Sequence, residues 1–235
     1  MIMSELFRIA IDGPSGSGKS TIAKLIADKL KMTYVDTGAM YRAIAYKLKQ
    51  EIPYITDIDL NTIKGKEEYQ LIDKIIKDTD IDMSEGCIRI DNVTVGDEIR
   101  TPEISMLASG ISKLSIIREF LGEIQRRIAA GSNVVMDGRD IGTNIIKDAE
   151  LKIYLTASPE VRAMRRVRQL SEQSKSIEYE ETLKDIIYRD NQDQTRELNP
   201  LMKAKDAVII DTSDMDIGEV VNLIIEKASE RNKKA

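Results

Sequence analysis

Apolar residues recur along this chain in three rhythms, and each rhythm predicts a different element. Leu6 to Ile11 is a short apolar run that stops against glycine-rich sequence. From Thr21 to Leu30, the residues Ile22, Leu25, Ile26 and Leu30 recur at helical spacing with lysines between them. Tyr34-Val35 then predicts a short strand, and Ala39 to Leu48 a second helix. Strand, loop, helix, strand, helix is the opening of a parallel sheet covered by helices.

The next stretch changes character. A charged helix is predicted around Glu67 to Lys77, followed by alternation through Ile88, Ile90, Val93 and Val95 with Asp91-Asn92 as a turn. This predicts a small antiparallel unit, inserted at about residues 54–101 into a core formed by residues 1–53 and 102–235. The core resumes with helices from Pro102 to Ala130, a break at Gly131-Ser132-Asn133, and the apolar run Val134-Val135-Met136. Leu151 to Leu155 and Ala207 to Ile210 are two more buried-strand candidates. Charged helices are predicted at Pro159 to Gln173 and Tyr179 to Gln194, and an amphipathic one at Ile217 to Ala228. The fold class expected is α/β, a parallel sheet flanked by helices.

The strongest chemical signal is Gly13-Pro14-Ser15-Gly16-Ser17-Gly18-Lys19-Ser20, a complete Gly-x-x-x-x-Gly-Lys-Ser/Thr motif between a predicted strand and a helix. Its glycines let backbone N–H groups fold around phosphate oxygens, and the helix dipole points at the same anion. Lys19 reaches the β- and γ-phosphates, and the Ser20 hydroxyl suits Mg²⁺. A nucleoside triphosphate is the expected ligand, with Thr21 closing the motif. The motif alone leaves GTPase, motor ATPase, small-molecule kinase and nucleotide sensor open. No Asn-Lys-x-Asp base-reading segment is present, which counts against a GTPase.

Composition narrows the chemistry. The 235 residues include no histidine and one cysteine, Cys87. Imidazole base catalysis, Cys-His nucleophiles, zinc fingers and intrachain disulfides are therefore excluded. With 35 basic and 40 acidic residues the net charge is −5, which argues against a broad nucleic-acid footprint. No 18-residue apolar run is present, and Met1 to Ile11 carries Glu5 and Arg8 with no small-residue cleavage site. A cytoplasmic protein without a membrane span is expected.

Three further clusters carry charge at predicted element ends. They are Asp36-Thr37-Gly38-Ala39-Met40-Tyr41-Arg42, Asp137-Gly138-Arg139-Asp140-Ile141-Gly142-Thr143, and Arg189-Asp190 with Asp193 and Arg196. Helical spacing would set Arg189, Asp193 and Arg196 on one side of a helix, either as a solvated salt-bridge ladder or as part of a site. With the phosphate loop, and in this order over essentially the whole chain, the clusters resemble the bacterial-type cytidylate kinases of the nucleoside monophosphate kinase group. Lys147 stands where that family suggests proline, and Ser171 to Ser176 lacks the glycine expected at a lid turn.

The resemblance implies a P-loop kinase with a small inserted NMP-binding domain and a helical lid. It implies transfer of the ATP γ-phosphoryl group to CMP or dCMP. Thr37, Arg118, Asp140 and Arg196 would read the cytosine, Ser109, Arg189 and Asp193 would hold the sugar, and Arg42 and Arg139 would meet the acceptor phosphate. Cytosine offers an N4 amino donor beside acceptors, which suits a carboxylate next to guanidinium or hydroxyl groups. UMP and AMP are the alternative acceptors. An RNA-associated nucleotide-binding protein is the alternative class. Arg162, Arg165, Arg166 and Arg168 follow Ser158-Pro159, a helix-start signal. The span 162–181 is read as a lid that brings Arg162 or Arg166 onto the ATP phosphates, and Asp137 as a residue that orients Mg²⁺ through water. A monomer with small-molecule substrates and no nucleic-acid partner is expected.

Overall fold

Strand β1 (Arg8–Asp12) is apolar over Ile9-Ala10-Ile11, as a strand covered on both faces must be. It lies in the middle of a five-stranded sheet. Its neighbours are β6 (Val134–Gly138) and β7 (Leu151–Thr156), both parallel to it, with Ile9 opposite Val135 and Leu151. Strand β8 (Val208–Asp211) pairs with β7, and β2 (Thr33–Asp36) completes the order β2-β6-β1-β7-β8. The computed structural model describes residues 6–60, 62–63, 65–84, 87–171 and 178–233.

Packing divides the chain into two units, residues 1–34 with 129–235, and residues 35–128. In the first, helix α1 (Lys19–Leu30) buries Ile22, Ala23, Ile26 and Ala27, and α8 (Ile217–Asn232) buries Val220, Val221 and Ile224. Both stripes pack with Phe7, Ile9, Ile11, Val135, Ile153 and Leu155 of the sheet. Helix α8 begins with a reciprocal capping box between Asp216 and Glu219. Helices α6 (Pro159–Ser171) and α7 (Tyr179–Thr195) pack against each other.

The second unit holds α2 (Thr37–Glu51), α3 (Glu67–Lys77), α4 (Pro102–Ile111), α5 (Ser115–Gly131, whose last residues belong to the first unit) and the antiparallel strands β3 (Ile81–Ser84), β4 (Cys87–Ile90) and β5 (Val93–Val95). The β4–β5 turn falls on Asp91-Asn92, with φ of 50° and 66°. Two consecutive positive φ values define the hairpin turn whose twist matches the strands. Strand β3 carries only two apolar residues, too few to announce a strand. The helical run from Pro102 is broken at 112–114, where the Ser112 hydroxyl turns back to bond the Ser109 carbonyl. The span 54–101 lies within this unit. The lid span 162–181 takes in most of α6 and the start of α7, and its residues 172–177 fall outside the described residues.

Candidate active site

The glycine loop leaves β1 at the centre of the sheet, and its conformation demands its sequence. Gly16 and Gly18 have φ of 76° and 88°. A Cβ on Gly13 would lie 1.9 Å from the Leu155 carbonyl oxygen, so the loop touches β7 backbone to backbone. Lys19 is 5% exposed and donates from Nζ to the Pro14 carbonyl at 2.7 Å. Burial, then the positive charge of Arg139, holds its pKa well below the usual lysine value. The Ser17 hydroxyl also donates to Pro14 O. Thr21 is exposed, one residue further along α1.

Beside the loop stands an oxygen cluster. The Ser20 hydroxyl donates to Asp137 Oδ2 at 2.9 Å, and the Tyr34 hydroxyl reaches Asp137 Oδ1 at 3.0 Å. A serine and one carboxylate at a phosphate loop fit Mg²⁺, which takes one or two protein oxygens and completes its shell with phosphates and water. Among the described residues no three or more His, Cys, Asp or Glu side chains gather into a metal site of their own.

Arg162 is 3% exposed and entirely engaged. It donates to the Ala157 carbonyl at 2.9 Å and to the Ser15 carbonyl at 3.0 Å, and pairs with Asp190 at 2.6 Å. One guanidinium thus ties α6, α7 and the phosphate loop together. Arg166, one turn further along α6, donates to Gln169.

The chain leaving β6 builds a second cluster. Arg139 pairs through Nε with Asp193 Oδ2 at 2.7 Å, and Arg196 with Asp140 Oδ1 at 3.1 Å. Within the Arg-Asp-Arg trio the Arg196 and Asp193 side chains are 5% and 13% exposed, so these two are not the rungs of a solvated ladder. Nor is Arg196 helical: α7 ends at Thr195, and Arg196 turns extended while staying 3.9 Å from Asp193. Its Nε donates to the Asn199 carbonyl, where Asn199 adopts a left-handed φ of 48°. Burial opposes the Asp193 charge, but Arg139 and Arg196 hold its pKa below the usual carboxylate value. Arg189 on α7 is lowered by burial and by Arg139 and Arg166, and its Nε is buried without a hydrogen-bond partner.

In the second unit, Asp36 caps α2 by accepting from Ala39 N and pairs with Arg42 at 3.2 Å. Thr37 is buried at the first position of α2, and the Arg42 Nε is buried without a partner. Arg118 stacks its guanidinium 5.9 Å from the Tyr41 ring centre and donates to the Ser112 carbonyl, next to the turn that carries Ser109. Sequence reasoning placed Tyr34 in a strand and Asp190 in a charged cluster but gave neither of them, nor Asp12, a role in the site. Only Asp12, a carboxylate ending an apolar run just before the glycine loop, carried a visible signal.

The family model for cytidylate kinase matches residues 9–230 of this chain. The chain belongs to the cytidylate kinase family. A cytidylate kinase of Thermosipho africanus is 46% identical over 96% of both chains, and that of Thermosipho melanesiensis 44% identical over 96% of this chain and 98% of its own. An uncharacterized protein from Eubacterium ventriosum shares the fold, with a TM-score of 0.53 and 13% identity over 95% of this chain and 98% of its own. Membership in the cytidylate kinase family makes this chain a nucleoside monophosphate kinase on the P-loop kinase fold. No helix among the described residues is long and apolar enough to cross a membrane.

Proposed function

We propose that this kinase moves the γ-phosphoryl group of ATP onto CMP or dCMP with the residues just described, as a cytoplasmic monomer without a nucleic-acid partner. The observation that carries this reading is the construction of a single unit. It holds the phosphate loop together with Arg139, Asp140, Asp193 and Arg196, and Lys19 feels the charges of both Arg139 and Asp193.

Residues Gly13 to Thr21 hold the ATP phosphates, and Ser20, with Asp137 through water, holds Mg²⁺, which when bound neutralises the charge on the phosphate oxygens. The phosphate of CMP has a second pKa of about 6, so at neutral pH it is a dianion and already a nucleophile. No general base is needed, and a chain without histidine is suited to the reaction. The remaining task is to bring two polyanions together and stabilise charge on the moving group. Lys19, Arg162 and Arg166 supply positive charge on the donor side. Arg42 and Arg139 meet the acceptor phosphate, and the unpartnered buried Nε of Arg42 supports an anion there.

Asp140 accepts from the cytosine amine while Arg118, Arg196 and Thr37 donate to its other edge, and Ser109, Arg189 and Asp193 hold the sugar. Uracil would present a carbonyl to Asp140 and an N–H to arginine, a mismatch worth up to several decades in a closed pocket. The test is a coupled ADP-release assay with CMP, dCMP, UMP and AMP. CMP and dCMP should be turned over with the highest kcat/KM. Preference for UMP or AMP, or salt-sensitive RNA binding without any phosphotransfer, would overturn the reading.

A further inference from the structure

The turn after β6 does not use the cap that its own sequence offers. Residues Ile141–Ile145 make one wide helical turn, closed by Ile146 N donating to the Ile141 carbonyl, and Asp140 stands at its N-cap position. An aspartate there ordinarily accepts from a backbone N–H at the start of the helix. Asp140 makes no such bond, and its carboxylate reaches Asn144 Nδ2 and Arg196 instead. The orphan N–H groups are capped from a different strand. Asp12 Oδ1 accepts from Ile141 N and Oδ2 from Gly142 N, each at 2.8 Å. Asp12 is buried at the end of β1, one residue before the phosphate loop.

From this geometry we infer that Asp12 is a positioning residue for base recognition: it caps the turn in place of Asp140 and so keeps the Asp140 carboxylate facing Arg196 and the acceptor base. The inference rests on the reading of Asp140 as the group that accepts from the cytosine amine. Two buried N–H groups without an acceptor are costly. If Asp12 loses its charge and one acceptor oxygen, the nearest replacement is Asp140 itself, and a carboxylate folded onto its own turn no longer reads a base. Space at the turn is matched to this arrangement: a Cβ on Gly142 would lie 3.2 Å from Lys152 Cδ and 3.4 Å from Asp12 Oδ2.

The experiment compares kcat/KM for CMP and UMP in wild type, Asp12→Asn, Asp140→Asn and the double variant. The CMP to UMP ratio cancels effects on stability and on ATP that both substrates share. Asp12→Asn should lower the ratio about tenfold, and by less than about twofold when Asp140 is already asparagine, because residues acting through one group are non-additive. An unchanged ratio in Asp140→Asn removes the reading of Asp140 and takes this inference with it. A lowered ratio in Asp140→Asn with an unchanged one in Asp12→Asn overturns the inference alone. So does an Asp12→Asn effect of equal size in both backgrounds. Should Asp12→Asn fail to fold, Gly142→Ala presses on the same hydrogen bond. It should lower the ratio about threefold in wild type and not in Asp140→Asn; no loss in wild type, or the same loss in both, overturns the inference.

Discussion

In the phosphate loop, several side chains rest on main chain. Lys19 and Ser17 both bond the Pro14 carbonyl, and Arg162 holds the carbonyl of Ser15. In the cluster after β6, charged side chains rest on each other: Arg139 on Asp193, and Arg196 on Asp140. The first arrangement is fixed by backbone conformation before a ligand arrives, so an anion meets donors that need no rearrangement. In the second, an arginine that turns to a nucleotide must leave or share a carboxylate. Separating a buried pair without replacement costs about 3–5 kcal/mol, so only a ligand with matching groups releases it. Rigid backbone suits a phosphate, which is the same on every nucleotide. On the proposed reading only the Arg196–Asp140 pair faces the base, the part that differs, while Arg139 and Asp193 face the acceptor phosphate and the sugar.

The largest effect should come from the loop. Lys19→Ala should lower kcat about a thousandfold, the scale for removing a donor aimed at transition-state charge, while CMP affinity by calorimetry changes less than about threefold. A comparable loss of CMP binding would erase the distinction between the two regions. Asp140→Asn should do the reverse. It loses a charge-assisted hydrogen bond, about 1.5–3 kcal/mol, so kcat/KM for CMP falls roughly tenfold to a hundredfold while that for UMP falls far less. Equal losses with both substrates would move Asp140 from base recognition to a structural role at the strand end.

A third effect, on stability rather than turnover, concerns Asp12, which joins the two regions. Burial, with the nearby Asp140 charge adding to it, pushes its pKa from 3.8 up to about 6 against the backbone bonds from Gly142 and Ile141. Between about pH 4 and 6 the native state therefore binds more protons than the unfolded chain. The stability Asp12 contributes is present at the acid end and lost as pH rises through about 6. The difference in unfolding free energy, wild type minus Asp12→Asn, should fall by about 2 kcal/mol over that window and stay level above it. Urea unfolding at a series of pH values checks this, and a level difference throughout would mean that the link carries no buried charge.

The same contrast explains what the sequence discloses. Apolar runs mark β1, β6 and β7 because strands buried on both faces need them, and the glycine loop is visible because only glycine fits its backbone. The Asp91-Asn92 turn is legible for the same reason, as both residue types tolerate positive φ. The illegible features depend on partners far along the chain. Nothing near Tyr34 announces its bond to Asp137, and nothing near Asp190 announces Arg162. The wide turn at 141–145 is unreadable locally because its cap comes from Asp12. Arg196 keeps its place beside Asp193 although the helix stops one residue earlier, so helical spacing found the right neighbours through the wrong backbone.

The anchoring of Arg162 also has a mechanical side. Its bonds to Ala157, Ser15 and Asp190 fix the lower end of α6, and the helix runs nine residues further to Ser171. At 1.5 Å per residue that is a lever arm of about 14 Å, so a tilt of about 10° about the anchor carries the far end some 2 Å. Arg166 rides only about 6 Å from the pivot and shifts by about 1 Å in the same tilt. In such a tilt the Arg166 cation near the root would move less than half as far as the tip.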